Sequence, residues 1–203
     1  MSKLILSTRN RHKIREISAI MAEAGAPVEL IGLDNYPGAP EVEENGATLE
    51  DNALLKAHAG VNCSGLPSAA DDTGLFVDAL NGAPGIRAAR YAGEDATYEA
   101  NNRKLLAALA GVPAERRTAR FVCVVSYVAP GVAPLSFCGE LAGRIIESPR
   151  GRDGFGYDPI FVPNGSNRTL AEMSAAEKNR ISHRNLAFRQ LAVFLRKVAR
   201  SSG

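Results

Sequence analysis

Apolar residues 4–6 form a short run that breaks into a polar stretch, residues 8–13. Beyond it Ile14, Ile17, Met21 and Ala24 recur at helical spacing. The pattern predicts strand, loop and helix, with Asn10 as the N-cap and Gly25 as the stop. Residues 28–33 read as a second strand, and residues 36–45, with two prolines and three acids, as loop. Thr48 and Asp51 have capping-box spacing and open a helix to about Ala59, whose buried side would carry Leu54, Leu55 and Ala59. Residues 68–71 and 75–80 then read as two short strands separated by Asp72-Thr73-Gly74, and Gly82-Ala83-Pro84-Gly85 reads as a tight turn.

Further on, Thr97 can cap a helix carrying Leu105, Leu106 and Leu109, which Gly111 and Pro113 end. Residues 119–128 and 135–141, joined by a Pro/Gly turn, predict an antiparallel hairpin that residues 144–147 could extend. Residues 149–163 hold three glycines and are expected to be irregular. Ser174 and Glu177 have the spacing of a second capping box over a short helix. Ala187, Leu191, Phe194, Leu195 and Val198 mark a final amphipathic helix, after which residues 201–203 should fray. Strands and helices alternate, so the expected class is α/β with a mixed sheet. Neither a repeat nor a linker interrupts residues 1–203, which predicts a single domain large enough to bury a core unaided.

Composition narrows the function classes. With 45% hydrophobic, 23% charged and 6% aromatic residues, the chain belongs with ordinary globular proteins. A net charge of +2 is too small for a general polyanion binder, so nucleic acid is not an expected partner. No apolar stretch is long enough to span a bilayer, so no membrane is expected either, and residues 4–6 are too few for a secretory core. Cys63, Cys123 and Cys138 are odd in number and lack metal-like spacing, which favours reduced thiols and a cytoplasmic location.

Four segments could carry chemistry. Thr8, Arg9, Asn10, Arg11, His12 and Lys13 concentrate hydroxyl, amide and cationic donors just before a helix, where the dipole and free N–H groups favour a polyphosphate. The glycines of a Walker A loop are missing, and a solvated basic turn is the plain alternative. Asp71-Asp72-Thr73-Gly74 offers paired carboxylates, of which only one should face a given side of a strand. Such a carboxylate could bind a hard cation or activate water, and Glu41, Glu43 and Glu44 supply a second acidic source. In Gly154-Phe155-Gly156-Tyr157-Asp158-Pro159 a flexible turn could present Phe155 for stacking on a base, or bury it as an anchor. Lys178, His183 and Arg184 place donors at a junction between helices, suited to phosphate or to a base carbonyl.

In this order and spacing the segments resemble the inosine triphosphate pyrophosphatase family, the noncanonical purine nucleoside triphosphate pyrophosphatases. The matching pieces are Thr8-x-Asn10-x-x-Lys13 with Glu16, Glu44-x-Gly46 with Asn52-Ala53-x-x-Lys56-Ala57, and Asp71-Asp72-Thr73-Gly74-Leu75. Gly82-x-Pro84-Gly85 with Ala89-Arg90-Tyr91, Phe155-Gly156-Tyr157-Asp158-Pro159, and Glu177-Lys178 with Ser182-His183-Arg184 complete the set. The resemblance implies an elongated mixed α/β sheet with two lobes around a central substrate cleft, usually as a homodimer. It further implies that Thr8, Arg9, Asn10, Arg11, His12 and Lys13 hold the triphosphate, and that Glu44 and Asp72 hold Mg²⁺. Asp72 is then the catalytic proton acceptor. Thr73, Phe155, Gly156, Tyr157, Asp158, Lys178, His183 and Arg184 line the substrate pocket, with Phe155 against the base. Many relatives carry glycine where this chain has Arg9, whose β-carbon restricts the loop.

The expected activity is hydrolysis of ITP, dITP or XTP at the α-phosphorus, giving monophosphate and pyrophosphate and cleansing the nucleotide pool. A pyrophosphatase for pyrimidine or other modified nucleotides, a haloacid-dehalogenase-type phosphatase and a non-enzymatic nucleotide sensor are the alternatives. The phosphatase would normally carry its D-x-D after the first strand, where this chain has Thr8-Arg9-Asn10.

Overall fold

The computed structural model describes residues 2–201. Met1, Ser202 and Gly203, the last two part of the end expected to fray, lie outside the described residues. The chain forms two compact units. One holds residues up to Asp72, Cys123–Gly139 and residues from Arg184 on; the other holds Thr73–Val122 and Glu140–His183. Among the described residues the sheet is mixed and seven-stranded, in the order β2 (Val28–Gly32), β1 (Ser2–Leu6), β3 (Ser68–Val77), β5 (Thr118–Ala129), β6 (Val132–Ile145) and β7 (Phe161–Pro163), with β4 (Pro84–Gly85) paired to β3.

In the first unit β1 (Ser2–Leu6) runs parallel to β2 (Val28–Gly32), with Leu4 opposite Leu30, and parallel to β3 (Ser68–Val77), with Ile5 opposite Ser68. Between β1 and β2 lies α1 (Arg11–Glu23), whose N-cap Asn10 accepts the N–H groups of His12 and Lys13 as its position predicts. Leu4 and Leu6 of β1 and Ile17, Ile20 and Met21 of α1 share a core with Val125 of β5 (Thr118–Ala129) and with Phe188 and Leu191 of α5 (His183–Ser201). Ala187, Leu191 and Leu195 are buried on the expected face of α5, while Val198 is exposed.

Helix α2 (Leu49–Ser64) starts at the predicted capping box, with both the Thr48 and the Asp51 bonds formed. It continues past Ala59 to Gly65, which takes the left-handed conformation. Its buried face is only partly the expected one: Asn52, Ala53, Ala57 and Gly60 are buried, Leu54 and Ala59 are half-buried, and Leu55 is exposed. Close approach decides this, because a Cβ at Gly60 would collide with Ser68 Oγ and meet Ser7 Cβ at 3.2 Å. The helix therefore turns mainly small residues to the sheet, with Leu54 packed partly buried against Ala57, Ala70 and Val128.

A second correction concerns β3, which is one strand of ten residues running through Asp72-Thr73-Gly74 without a break. Gly74 serves close backbone approach rather than a turn: a Cβ there would lie 3.0 Å from Gly85 O of β4 (Pro84–Gly85), which pairs antiparallel with β3.

The second unit also holds α3 (Tyr98–Ala108), capped by Thr97 as expected, β7 (Phe161–Pro163) and α4 (Ala175–Ile181), whose Ser174/Glu177 capping box is fully formed. Strand β6 (Val132–Ile145) neighbours β5 in the sheet, starts earlier than predicted and takes in part of the expected extension over residues 144–147. The segment expected to be irregular ends in β7, which pairs antiparallel with β6 through Ile145 opposite Phe161. Leu75, Val77, Leu105, Leu109, Phe121, Ile145, Ile160 and Phe161 form this unit's core. Among the described residues no helix is long and apolar enough to cross a membrane.

Candidate functional site

The expected site residues fall into two sets, one in each unit. In the first unit the chain leaves β1 and folds residues 8–13 into a compact entry to α1. Thr8 Oγ1 accepts the Asn10 N–H at 3.2 Å, and the Arg9 guanidinium donates to Ala39 O at 2.6 Å, tying the loop to the acidic segment that follows β2. Arg11 and His12 are exposed. Lys13 reaches inward and places Nζ 3.0 Å from Asp71 Oδ2.

Asp71 and Asp72 serve different partners, as strand alternation requires of neighbours. Asp71 is buried and faces Lys13 and Arg184, whose Nη2 is 3.3 Å away. Arg184 in turn donates through Nη1 to Glu16 Oε2 at 2.6 Å. The buried Arg184 and the half-buried Lys13 thus meet two carboxylates, which compensates charges that would be costly alone. Burial by itself would raise the Asp71 carboxyl, but Lys13 and Arg184 outweigh it and hold the group below the ordinary carboxylate range. Arg184, expected among the base donors, has its guanidinium engaged by Glu16 and Asp71.

Asp72 accepts from the Lys56 ammonium at 3.0 Å, and the same ammonium donates to Glu44 Oε1 at 2.7 Å. Asn52, one turn earlier on α2, donates to Asp72 Oδ2 at 3.3 Å while its carbonyl oxygen accepts the Gly46 N–H at 2.8 Å. One face of α2 therefore joins the acidic segment to β3. Burial and the nearby Glu44 raise the Asp72 carboxyl against the opposing pull of Lys56 and Lys13. Glu41 and Glu43 are exposed. Two carboxylates converging on one cation position form a hard-oxygen donor set, and Mg²⁺ typically takes one or two protein carboxylates beside phosphate and water. The donors present fit such an ion.

In the second unit Thr73 is half-buried on β3, and Phe155, Gly156, Tyr157 and Asp158 lie together. Asp158 Oδ2 accepts the Phe155 N–H at 2.8 Å and the Lys178 ammonium at 2.5 Å. Lys178 Nζ sits 4.7 Å from the centre of the Phe155 ring, a cation–π contact. His183 is buried, with its ring stacked 4.6 Å from that of Phe121. Tyr157 donates its hydroxyl to Ala88 O at 2.8 Å, and burial raises that phenol.

Sequence reasoning assigned no task to Glu16, Asn52 or Lys56, although all three fall in the motifs quoted. The available signal was spacing: Asn52 and Lys56 are four apart on one helix, and Glu16 lies three past Lys13.

Fold and site together define an α/β protein with a carboxylate and ammonium centre and a donor-rich loop at the start of α1. The chain belongs to the Ham1 family, which matches residues 4–194. It is 51% identical over 187 residues to the dITP/XTP pyrophosphatase of Geobacter sulfurreducens, covering 92% of this chain and 93% of the relative. It is 50% identical over 198 residues to that of Streptomyces coelicolor, covering 98% and 99%. Among solved structures, a HAM1 protein from Coxiella burnetii superposes with a TM-score of 0.87 at 38% identity, covering 97% of this chain and all (100%) of that one. A nucleoside-triphosphatase / dITP/XTP pyrophosphatase from Mycobacterium abscessus gives 0.74 at 44% identity, covering 95% and 97%.

Proposed function

We propose that this protein is a Mg²⁺-dependent nucleoside-triphosphate pyrophosphatase, cleaving ITP, dITP and XTP at the α-phosphorus to the monophosphate and pyrophosphate. The observation that carries the reading is the Lys56 ammonium shared by Glu44 and Asp72, carboxylates from distant segments that converge on one cation position. Family membership and the dITP/XTP pyrophosphatases at half identity support it. In this reading the protein is cytoplasmic and works as a homodimer.

Thr8, Arg9, Asn10, Arg11, His12 and Lys13 receive the triphosphate through backbone N–H groups, hydroxyl, amide and cationic side chains. Glu44 and Asp72 would hold Mg²⁺, which neutralises phosphate charge and acidifies water. Asp72 accepts the proton of the water whose oxygen bonds to the α-phosphorus. The bond from that phosphorus to the bridging oxygen breaks, and pyrophosphate leaves with the electron pair. The Lys13 ammonium stabilises the charge that develops on it. Asp71 spends one of the three Lys13 donors and leaves two for phosphate oxygens. Phe155 stacks on the base, held by Gly156, Tyr157 and Asp158, while Thr73, Lys178 and His183 complete the pocket; Arg184, bound to Glu16 and Asp71, instead holds the Asp71 carboxylate that Lys13 meets. Selection rests on the purine 6-oxygen, which accepts hydrogen bonds where adenine offers a donor.

Incubation with ITP and Mg²⁺, followed by phosphorus NMR, tests the reaction. Inosine monophosphate and pyrophosphate are expected. Orthophosphate release would point to a phosphatase, and tight binding without turnover to a sensor. ITP and XTP should outpace ATP by up to ~10⁴-fold in kcat/KM, and equal rates, or a preference for modified pyrimidines, would refute the assignment.

A further inference from the structure

We propose that Asn102 on α3 is a positioning residue that sets the Phe155 loop and through it the choice of base. The inference rests on the reading of that loop as the base-binding element. Gly154 and Gly156 hold left-handed backbone at φ of 75° and 65°, so the turn depends on side-chain bonds to fix it. Asp158 supplies one from within the loop, at the Phe155 N–H. Asn102 supplies one from 54 residues away, donating Nδ2 to Gly156 O at 3.0 Å. The carbonyl can only accept, so the orientation of the amide is settled.

Packing does not explain an asparagine here. The side chain is buried at 7% exposure, and its Oδ1 has no hydrogen-bond partner among the described residues. The preceding Asn101 differs: its amide accepts from Ala92 N–H at 2.7 Å and donates to Ala89 O at 2.9 Å. An apolar residue would fill the Asn102 site without stranding an oxygen, so what the amide contributes is its bond to Gly156. Four residues earlier on the same face of α3, the Tyr98 ring lies 6.0 Å from that of Phe155. Tyr98 and Asn102 thus meet the loop together, one at the ring and one at the next residue's carbonyl. Loss of the Asn102 bond frees the peptide beside Phe155 while leaving Lys13, Glu44 and Asp72 as they are.

The test is the ratio of kcat/KM for ITP over ATP, which does not depend on the fraction of active protein. In Asn102→Ala the ratio should fall roughly five- to tenfold, with KM for ITP rising more than kcat falls. Asn102→Asp, which keeps the volume but cannot donate to the carbonyl, should do the same and serves if the alanine variant does not fold. Amide hydrogen exchange over residues 154–158 should quicken in both. A wild-type ratio retained by the variants overturns the positioning role alone. A wild type that hydrolyses both nucleotides alike overturns the reading beneath it as well.

Discussion

A lysine enclosed by two carboxylates must stay charged to be tolerated, and Lys56 does. Burial would lower its pKa, but Asp72 and Glu44 outweigh this and raise it. Lys56→Met should therefore leave two partly buried acids uncompensated, at a cost of about 3–5 kcal/mol. An ion bound between them would restore much of that, so Mg²⁺ should raise the Tm of Lys56→Met more than that of wild type. Equal shifts in calorimetry would remove Glu44 and Asp72 as the metal pair. Asp72→Asn should fold, because the raised carboxyl is already disfavoured as an anion in the folded chain, and should lose about 10²–10⁴-fold in turnover of ITP. Near wild-type turnover would end its assignment as proton acceptor. At this scale the sequence showed which acids and bases were candidates. It did not show that Lys13 would pair with Asp71, or Lys56 with Asp72, since each pair joins a helix to a strand and is made only when the two pack together.

Elements declared themselves where local chemistry ends a helix and misled where packing overrides it. Asn10, Thr48, Thr97 and Ser174 cap helices as their side chains dictate. The buried side of α2 went to small residues because Gly60 closes on Ser7 and Ser68. The Asp72-Thr73-Gly74 stretch stayed extended because β3 is held by strand partners that sequence distance conceals. Gly154 combines both lessons. Its φ of 75° requires glycine, and a Cβ would strike the Asp158 carboxylate that anchors Phe155 and Lys178. Gly154→Ala should add strain of about 1–3 kcal/mol to the loop and weaken selection of ITP over ATP by roughly tenfold. An unchanged substrate panel would show that the loop does not govern base choice.

For the molecule as a whole, the buried charges give stability a pH signature. Asp71 has a depressed folded pKa, so its contribution is complete above the unfolded carboxylate value of about 3.9 and is lost as pH falls through the lower folded value. Asp72, with a raised folded pKa, contributes below that unfolded value and loses its contribution as pH rises through the folded one. The stability deficit of Asp71→Asn in urea melts should therefore hold constant from neutral pH to about 4 and shrink only in stronger acid. A deficit already fading between pH 7 and 5 would contradict the Lys13–Asp71–Arg184 pairing. The α/β class, the helix starts and the crowding of hydroxyl, amide and cationic donors into residues 8–13 were decided by the sequence itself, because capping, periodicity and donor content act over a few residues. Which carboxylate meets which cation, which face of α2 is buried and what holds the Phe155 loop were decided only in three dimensions. Those outcomes rest on contacts such as Lys56 to Asp72, Asn102 to Gly156 and Arg184 to Asp71, which are 16, 54 and 113 residues apart, and no local preference specifies them.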